Sequence, residues 1–162
     1  DYFPLPEPLI QKNISRIMSL RDGTKKMSKS EESDYSRINL KDSKEDIIKK
    51  IKKAKTDSVP IPDNERELKD RPEALNLLSI YGDITGNNLS EVLKEMSGKE
   101  FSHVKSKLSE ALIETICPIG RKISELMKDK VHLEGVLKKG KEKASIKSEE
   151  NLKKIRDIVG FI

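Results

Sequence analysis

Residues 73–96 read EALNLLSIYGDITGNNLSEVLKEM, and this stretch decides the fold. Apolar side chains recur in it at the spacing of one helix face, which predicts a helix over Glu73–Ile84 that ends near Gly86. Asn88, with a glutamate three residues later, has the pattern of a capping box and predicts a second helix over Leu89–Met96. The side chains of the first helix predicted to face inward are Leu77, Leu78 and Tyr81.

Two longer apolar stripes follow toward the end of the chain. The first is predicted to be the longest buried stripe, kinked in its middle by Pro118. Its members are Val104, Leu108, Leu112, Ile116, Ile119, Ile123 and Leu126. The second stripe repeats the spacing from Leu133 to Val159, and Gly140 and Ala144 within it would let another helix come close. Four helices after residue 70 predict a bundle.

The composition agrees with a helical protein. Of 162 residues, 38% are charged and only 4% are aromatic, and the formal net charge is +5. Lysine and glutamate favour helix, whereas a sheet would bring more aromatic and β-branched side chains. The positive charge favours an anionic partner, although a solvated surface of mixed charge explains it equally well. The single Cys117 excludes an internal disulfide, and no apolar run reaches the roughly 20 residues of a membrane span.

The start of the chain is predicted to be extended up to a short strand. Pro4, Pro6 and Pro8 remove backbone donors and disfavour helix. Residues 16–20 form a short apolar segment that predicts one brief strand, and residues 21–23 predict a turn after it.

A short amphipathic helix is predicted beyond the loop that follows this turn. Residues 43–46 resemble a capping box with aspartate in the place of glutamate. Ile47, Ile48 and Ile51 then recur at helical spacing, with lysines on the opposite side. Residues 59–70 contain two prolines and no periodicity, which predicts a linker.

The loop after the strand carries the chemistry. Residues 23–30 read GTKKMSKS, which combines a flexible glycine, hydroxyl groups and three lysines. Positive donors on a backbone that can wrap around a polyanion suit phosphate recognition. Lys26 and Lys29 are three residues apart and can converge from one turn. A loop rich in lysine and serine is ordinarily only solvated. Met27, however, is not a residue that the composition of such a loop leads one to expect between the lysines and serines.

The string Lys26-Met27-Ser28-Lys29-Ser30 resembles, residue for residue, the signature loop of class I aminoacyl-tRNA synthetases. The residues before it, RIMSLRDGTK, look like the bacterial tryptophanyl members of that family. The resemblance continues in the family's order along nearly the whole chain, in SRINL (36–40), KAKTDS (53–58), NLLSIY (76–81) and LSEALIETI (108–116).

The resemblance implies a mainly α chain in three parts. Residues 1–58 would be the end of a Rossmann-type, nucleotide-binding catalytic domain, consisting of one short strand, the phosphate loop and a short helix. Residues 59–70 would be the linker. Residues 71–162 would be the C-terminal helical bundle that binds the anticodon region of tRNA.

The activity implied by the resemblance is that of a tryptophan–tRNA ligase. Tryptophan's carboxylate would attack the α-phosphate of ATP, and the tRNA ribose would then take the aminoacyl group. Lys26 and Lys29 would be the catalytic residues, since they would stabilise the departing pyrophosphate. Ile17 would lie beside the adenine ring. The implied ATP-binding set is Ile17, Lys26, Met27, Ser28, Lys29 and Ser30.

The resemblance also implies the cofactors and partners. ATP would bind together with Mg²⁺, with no metal site built from protein side chains alone. The partners would be tryptophan, ATP and tRNA(Trp) in the cytoplasm, without a membrane. A homodimer is implied for a full-length enzyme, and a monomer stays open for this chain alone.

Two alternatives stay open. A tyrosyl-tRNA synthetase relative would share the fold, although its loop is usually a degraded form. A non-catalytic helical RNA-binding module that retains a decayed loop belongs to another class. The family's second signature, a His-x-Gly-His-like segment, has no match in this chain, and the tryptophan pocket is missing too. The chain is therefore expected to be the later half of an enzyme and to be inactive alone.

The remaining polar residues have weaker assignments. His103 and His132 are predicted to be surface or partly packed side chains, because no carboxylate or thiol lies at metal-site spacing. Cys117 is predicted to serve packing. Six basic side chains could contact tRNA phosphates, with a solvated face as the alternative: Arg121, Lys122, Lys138, Lys139, Lys141 and Lys143.

Overall fold

The computed structural model describes residues 2–9 and 16–160, and helix dominates them. Two short 3-10 helices, Asp34–Ser36 and Glu65–Leu68, precede α1 and α2 respectively. The mainly α fold class is confirmed. The α-helices of the described residues are α1 (Lys44–Lys53), α2 (Pro72–Thr85), α3 (Leu89–Met96), α4 (Phe101–Leu126) and α5 (Lys130–Val159).

The chain divides into two compact units, Asp1–Gly120 and Arg121–Ile162, so the division falls within α4. The first unit contains the hydrophobic core, to which α1, α2, α3 and the first half of α4 contribute. The predicted boundaries at residues 58 and 70 are a separate division by function, and they stay a prediction.

Local sequence accounts for where the helices begin and end. Ser43 and Asp46 form the predicted capping box of α1, in which each residue's backbone N–H donates to the other's side chain. Asn88 and Glu91 form the same box at α3. Gly86 ends α2 in the left-handed conformation at φ 77°, which costs glycine nothing. All three predictions are confirmed.

Most of the predicted inward positions of the first helices are buried. Leu77, Leu78 and Tyr81 are in the core, and so are Ile47 and Ile51. The Tyr81 hydroxyl reaches the edge of the core, where it donates to Glu95 at 3.0 Å. Burying several large apolar side chains of this kind contributes about 1.5–3 kcal/mol each before the entropy of ordering is subtracted.

Two positions of α1 depart from the prediction. Ile48 is 41% exposed, whereas Lys50, assigned to the solvated side, is only 4% exposed. Successive residues point about 100° apart around a helix, so Ile48 cannot share the direction of its neighbour Ile47. Lys50 is buried because Asp34 and Asp42 neutralise its charge.

The strand predicted at residues 16–20 does not form as a strand in the described structure. Met18 makes one isolated antiparallel bridge with Lys26. The chain reverses within the few residues between them, so only a short ladder can pair. The other backbone edge of Met18 is occupied by the side chain of Asn76 from α2, which takes the place of a neighbouring strand.

The long apolar stripes are helical as predicted, but the prediction of their burial is wrong beyond the first half of α4. Burial in α4 ends at Leu112, and Ile119 and Leu126 are exposed. The described part of α5 contains no buried residue. At Gly140 an added Cβ would meet nothing within 4 Å among the residues that the structure describes. Periodicity identifies a helix face, but a partner must cover that face before it is buried.

Residues 59–70 are more ordered than a linker without periodicity suggests. The segment contains the 3-10 helix Glu65–Leu68, capped by Asn64, whose Oδ1 accepts from two backbone N–H groups. Ile61 and Leu68 are 2% and 1% exposed and belong to the core. Backbone hydrogen bonds join Ile61 to Gly98 and Lys99 after α3.

Candidate phosphate-binding site

The lysine- and serine-rich loop begins on the short ladder with residues 17–19. The Met27 N–H donates to the Ile17 carbonyl at 3.0 Å, and the Ser19 N–H donates to the Lys25 carbonyl at 2.8 Å. Ile17, predicted to lie beside an adenine ring, therefore pairs directly with Met27 of the loop. Met27 is half-buried against the core, so it holds the start of the loop to the protein while its neighbours point outward.

The two cations of the loop are available to an anion. Lys26 and Lys29 are both exposed, and neither makes an ion pair with any residue of the described structure. Lys25 differs from them, because its ammonium lies 3.4 Å from the Asp22 carboxylate. Of the three lysines, the two predicted to be catalytic are the ones that form no ion pair within the described residues.

The two serine hydroxyls of the loop are hydrogen-bonded to each other. Ser28 Oγ and Ser30 Oγ are 2.9 Å apart, and the Ser30 N–H donates to Ser28 Oγ at 3.2 Å. Both side chains are exposed, so hydrogen bonds to a phosphate oxygen could replace the hydrogen bond between them. A turn that sets two hydroxyls side by side, in a segment that also contains two exposed lysines, presents donors that match phosphate.

The tight turn before the loop is held by Asp22. Its Oδ1 accepts from the Thr24 N–H at 3.0 Å and from the Thr24 hydroxyl at 2.6 Å. The hydroxyl bond is the main reason that the pKa of Asp22 is lowered. Gly23 lies against the start of α2: a Cβ there would be 2.5 Å from the Pro72 carbonyl carbon and 2.6 Å from the Glu73 nitrogen. The turn therefore requires glycine for a close approach of two backbones.

Asn76 supports the ladder from the other side. Its Oδ1 accepts from the Met18 N–H at 3.0 Å, and its Nδ2 donates to the Met18 carbonyl at 2.9 Å. The side chain is 6% exposed. Sequence reasoning did not assign it a role, although an asparagine beside Leu77 and Leu78 on a helix predicted to be buried was a usable signal.

The segment that follows the loop is held by the buried ammonium group of Lys50. Lys50 Nζ lies 2.6 Å from both Asp34 Oδ2 and Asp42 Oδ2. Burial by itself would lower the pKa of Lys50, but the hydrogen bonds that its ammonium donates to the two aspartates outweigh burial and raise that pKa. Asp34 also pairs with Arg37 at 2.9 Å, and Asn39 Nδ2 donates to it at 3.1 Å. This network ties the 3-10 helix after the loop to α1, and sequence reasoning had missed it.

The other residues singled out in the sequence lie elsewhere. His103 and His132 are exposed, as predicted. Cys117 packs half-buried against the core, as predicted. No group of three potential metal ligands occurs within residues 2–9 and 16–160, and across the same residues no helix has the length and apolar character to cross a membrane.

The six basic side chains proposed for tRNA are all exposed. Lys122 of α4 has a partner of its own, since its ammonium lies 3.6 Å from Glu125. In α5, Lys138 and Lys141 are three residues apart, and Lys139 and Lys143 are four apart. Each pair therefore shares a helix face.

A basic, hydroxyl-bearing loop that leaves a short ladder and is supported by helices offers donors suited to phosphate groups. Residues 1–116 match the family described as "tRNA synthetases class I (W and Y)". The chain belongs to this family of class I tRNA synthetases.

Individual relatives point to one branch of the family. The chain is 47% identical over 161 residues to "Tryptophan--tRNA ligase" of Rhizobium meliloti (strain 1021), which covers 99% of this chain and 46% of the relative. It is 45% identical over 158 residues to the protein of the same name from Rickettsia felis, covering 98% of this chain and 47% of that one. The chain thus spans about half the length of these curated relatives.

A solved structure agrees in fold. The crystal structure of tryptophanyl-tRNA synthetase from Mycoplasma pneumoniae superposes with a TM-score of 0.76 at 30% sequence identity. The match covers 93% of this chain and 45% of that chain.

Proposed function

We propose that the polypeptide carrying this chain is a tryptophan–tRNA ligase, to which the chain contributes the ATP-phosphate loop and the tRNA-binding helices. The observation that carries the proposal is the loop itself: two exposed lysines and two paired hydroxyls, held on a ladder with Ile17. The names of the relatives support tryptophan as the amino acid, in preference to tyrosine.

In the proposed reaction an oxygen of the tryptophan carboxylate attacks the α-phosphorus of ATP. The bond from that phosphorus to the bridging oxygen breaks, and pyrophosphate leaves with the negative charge. A ribose hydroxyl of tRNA(Trp) then attacks the aminoacyl carbonyl, and AMP leaves. The protein's contribution is positioning and charge stabilisation.

Lys26 and Lys29 are proposed to bind the β- and γ-phosphates and to stabilise the charge that builds on the leaving group. Once the hydrogen bond between Ser28 and Ser30 is broken, both hydroxyls would donate to phosphate oxygens. Met27 would hold the loop by packing, and the backbone of Ile17 would lie beside the base.

ATP and Mg²⁺ fit these residues. Mg²⁺ prefers oxygen ligands and usually binds through substrate phosphates, with only one or two protein ligands. The loop supplies ammonium and hydroxyl donors, which bind the remaining phosphate oxygens and do not compete for the metal. Bound with ATP, Mg²⁺ would neutralise part of the phosphate charge.

We further propose that the functional parts are the catalytic portion 1–58, the linker 59–70 and the tRNA-binding portion 71–162. Six basic side chains would contact tRNA phosphates, and the salt dependence of tRNA affinity measures this: Arg121, Lys122, Lys138, Lys139, Lys141 and Lys143. The complete enzyme would act in the cytoplasm, where its substrates are, as a homodimer that sedimentation analysis would detect. A monomer in the active state would remove the dimer from the proposal.

The decisive experiment is ATP–pyrophosphate exchange by the protein expressed from its complete reading frame, with tryptophan and separately with tyrosine. Exchange is expected with tryptophan alone. Lys29→Ala should reduce it about 100-fold, since one donor to transition-state charge is removed. Lys25→Ala is the matched control: it deletes a neighbouring lysine that is already paired with Asp22, and exchange should remain within about threefold of the wild type.

Other outcomes would select an alternative. Exchange with tyrosine instead of tryptophan would assign the protein to the tyrosyl branch. No exchange with either amino acid, together with retained RNA binding, would leave the non-catalytic module.

A further inference from the structure

Asn76 occupies an unusual position for a core polar residue. It lies on α2 between the completely buried Ala74 and the buried Leu77 and Leu78, yet its amide reaches across to a segment 58 positions earlier in the chain. Both of its bonds to Met18 have good geometry, at 3.0 and 2.9 Å. Its Nδ2 also approaches the Ser19 carbonyl at 3.5 Å.

The ladder explains why Met18 needs such a partner. The bonds from Met27 to Ile17 and from Ser19 to Lys25 flank the Met18–Lys26 bridge. In an antiparallel pair of this kind the N–H and C=O of the bridged residue point away from its partner. Those two groups of Met18 would be left unsatisfied without a second edge, and a side-chain amide offers the same donor and acceptor as a peptide group.

The start of α2 approaches the same turn at two further points. Gly23 lies in backbone contact with Pro72 and Glu73, and the Glu73 carboxylate lies 2.6 Å from the Lys55 ammonium. Lys55 in turn donates its backbone N–H to Leu20 at 2.8 Å. The first two turns of α2 thus pack against residues 18–23. Within these two turns, Asn76 is the residue that is hydrogen-bonded to the ladder.

We propose that Asn76 is a positioning residue for the ATP site: by holding both peptide groups of Met18, its amide sets the place of Ile17 and Lys26, the residues adjacent to and paired with Met18. The inference rests on the proposed function, because it assigns Ile17 and Lys26 to ATP. Asn76 acts through Met18 and touches no reacting atom.

The test uses the protein expressed from its complete reading frame, with Asn76→Ala and Asn76→Asp. The aspartate variant is nearly isosteric: it keeps the acceptor for the Met18 N–H but loses the donor to the Met18 carbonyl. Val92→Ala is the control, because it removes buried methyl groups from α3 and weakens the same core without touching the ladder. ATP–pyrophosphate exchange gives kcat and KM for each substrate, and hydrogen exchange reports on residues 16–27.

Both Asn76 variants are expected to raise KM for ATP roughly tenfold, because a buried peptide group loses its partner, while KM for tryptophan stays within about twofold. Hydrogen exchange over residues 16–27 should accelerate in both. Val92→Ala should lower Tm and leave both KM values unchanged. If Asn76→Ala does not fold, Asn76→Asp decides.

A KM for ATP equal to that of the wild type in an Asn76 variant would overturn the positioning role, and so would an equal rise in Val92→Ala. Absence of tryptophan-dependent exchange in the wild-type protein is a different result, since it overturns the proposed function itself.

Discussion

Replacing Gly23 by alanine would place a methyl carbon among backbone atoms of α2. The new Cβ would lie 2.5 Å from the Pro72 carbonyl carbon, 2.6 Å from the Glu73 nitrogen and 2.8 Å from the Pro72 carbonyl oxygen. Each distance is roughly 0.7 Å or more below the roughly 3.5–4.0 Å at which non-bonded heavy atoms are most stable. Because all three neighbours are backbone, no side chain can rotate aside, and either the turn or the start of α2 must move.

Overpacking of this kind typically costs about 1–3 kcal/mol. For a chain of this length each kcal/mol lowers Tm by about 2–4 °C, so Gly23→Ala should lower Tm by roughly 2–12 °C. The displacement also separates the turn at residues 22–24 from α2. We therefore expect KM for ATP to rise when Gly23→Ala is made in the protein expressed from its complete reading frame.

Circular dichroism during thermal unfolding measures the effect on Tm, and Gly135→Ala is the matched control. An added Cβ at Gly135 meets nothing within 4 Å, and the residue lies inside α5, where alanine is favoured over glycine by about 1 kcal/mol. Replacing glycine by alanine should therefore lower Tm at Gly23 and raise Tm at Gly135. An unchanged or raised Tm in Gly23→Ala would refute the argument from backbone contact.

Two further predictions concern charge. The hydrogen bond from Lys55 is the main reason that the pKa of Glu73 is depressed below its ordinary value of 4.5. A carboxyl group whose pKa is depressed in the folded state stabilises the fold at pH values above its unfolded pKa. This contribution is lost as the pH falls through the folded pKa. The difference in Tm between wild type and Glu73→Gln should therefore be constant near neutral pH and shrink below about pH 4.5, and a difference that grew in acid would contradict the assignment. In α5, replacing Lys138 and Lys141 by glutamine should weaken tRNA binding and reduce the slope of log affinity against log salt by up to about 2, measured by filter binding; an unchanged slope would leave these lysines as a solvated face.

The ends of the helices were predictable because the determinants are local. The capping boxes at Ser43 and Asn88 and the left-handed Gly86 each involve residues within one helical turn, so the sequence contains the whole interaction. The loop at residues 26–30 was predictable for a different reason. Its string of side chains is itself the resemblance, and it needs no tertiary partner to be recognised.

What the sequence by itself determined is thus the helical fold, the capped starts of α1 and α3, the end of α2 at Gly86, and the donors that the loop offers to phosphate. The tertiary structure alone decided which helix faces are covered: Ile48 and the apolar side of α5 are exposed, while Lys50 is buried between two aspartates. It also decided that Asn76 holds Met18 across 58 positions of sequence. Periodicity reports the direction of a side chain around its own helix, but burial and polar pairing depend on which distant segment arrives there, and that depends on the packing of the whole chain.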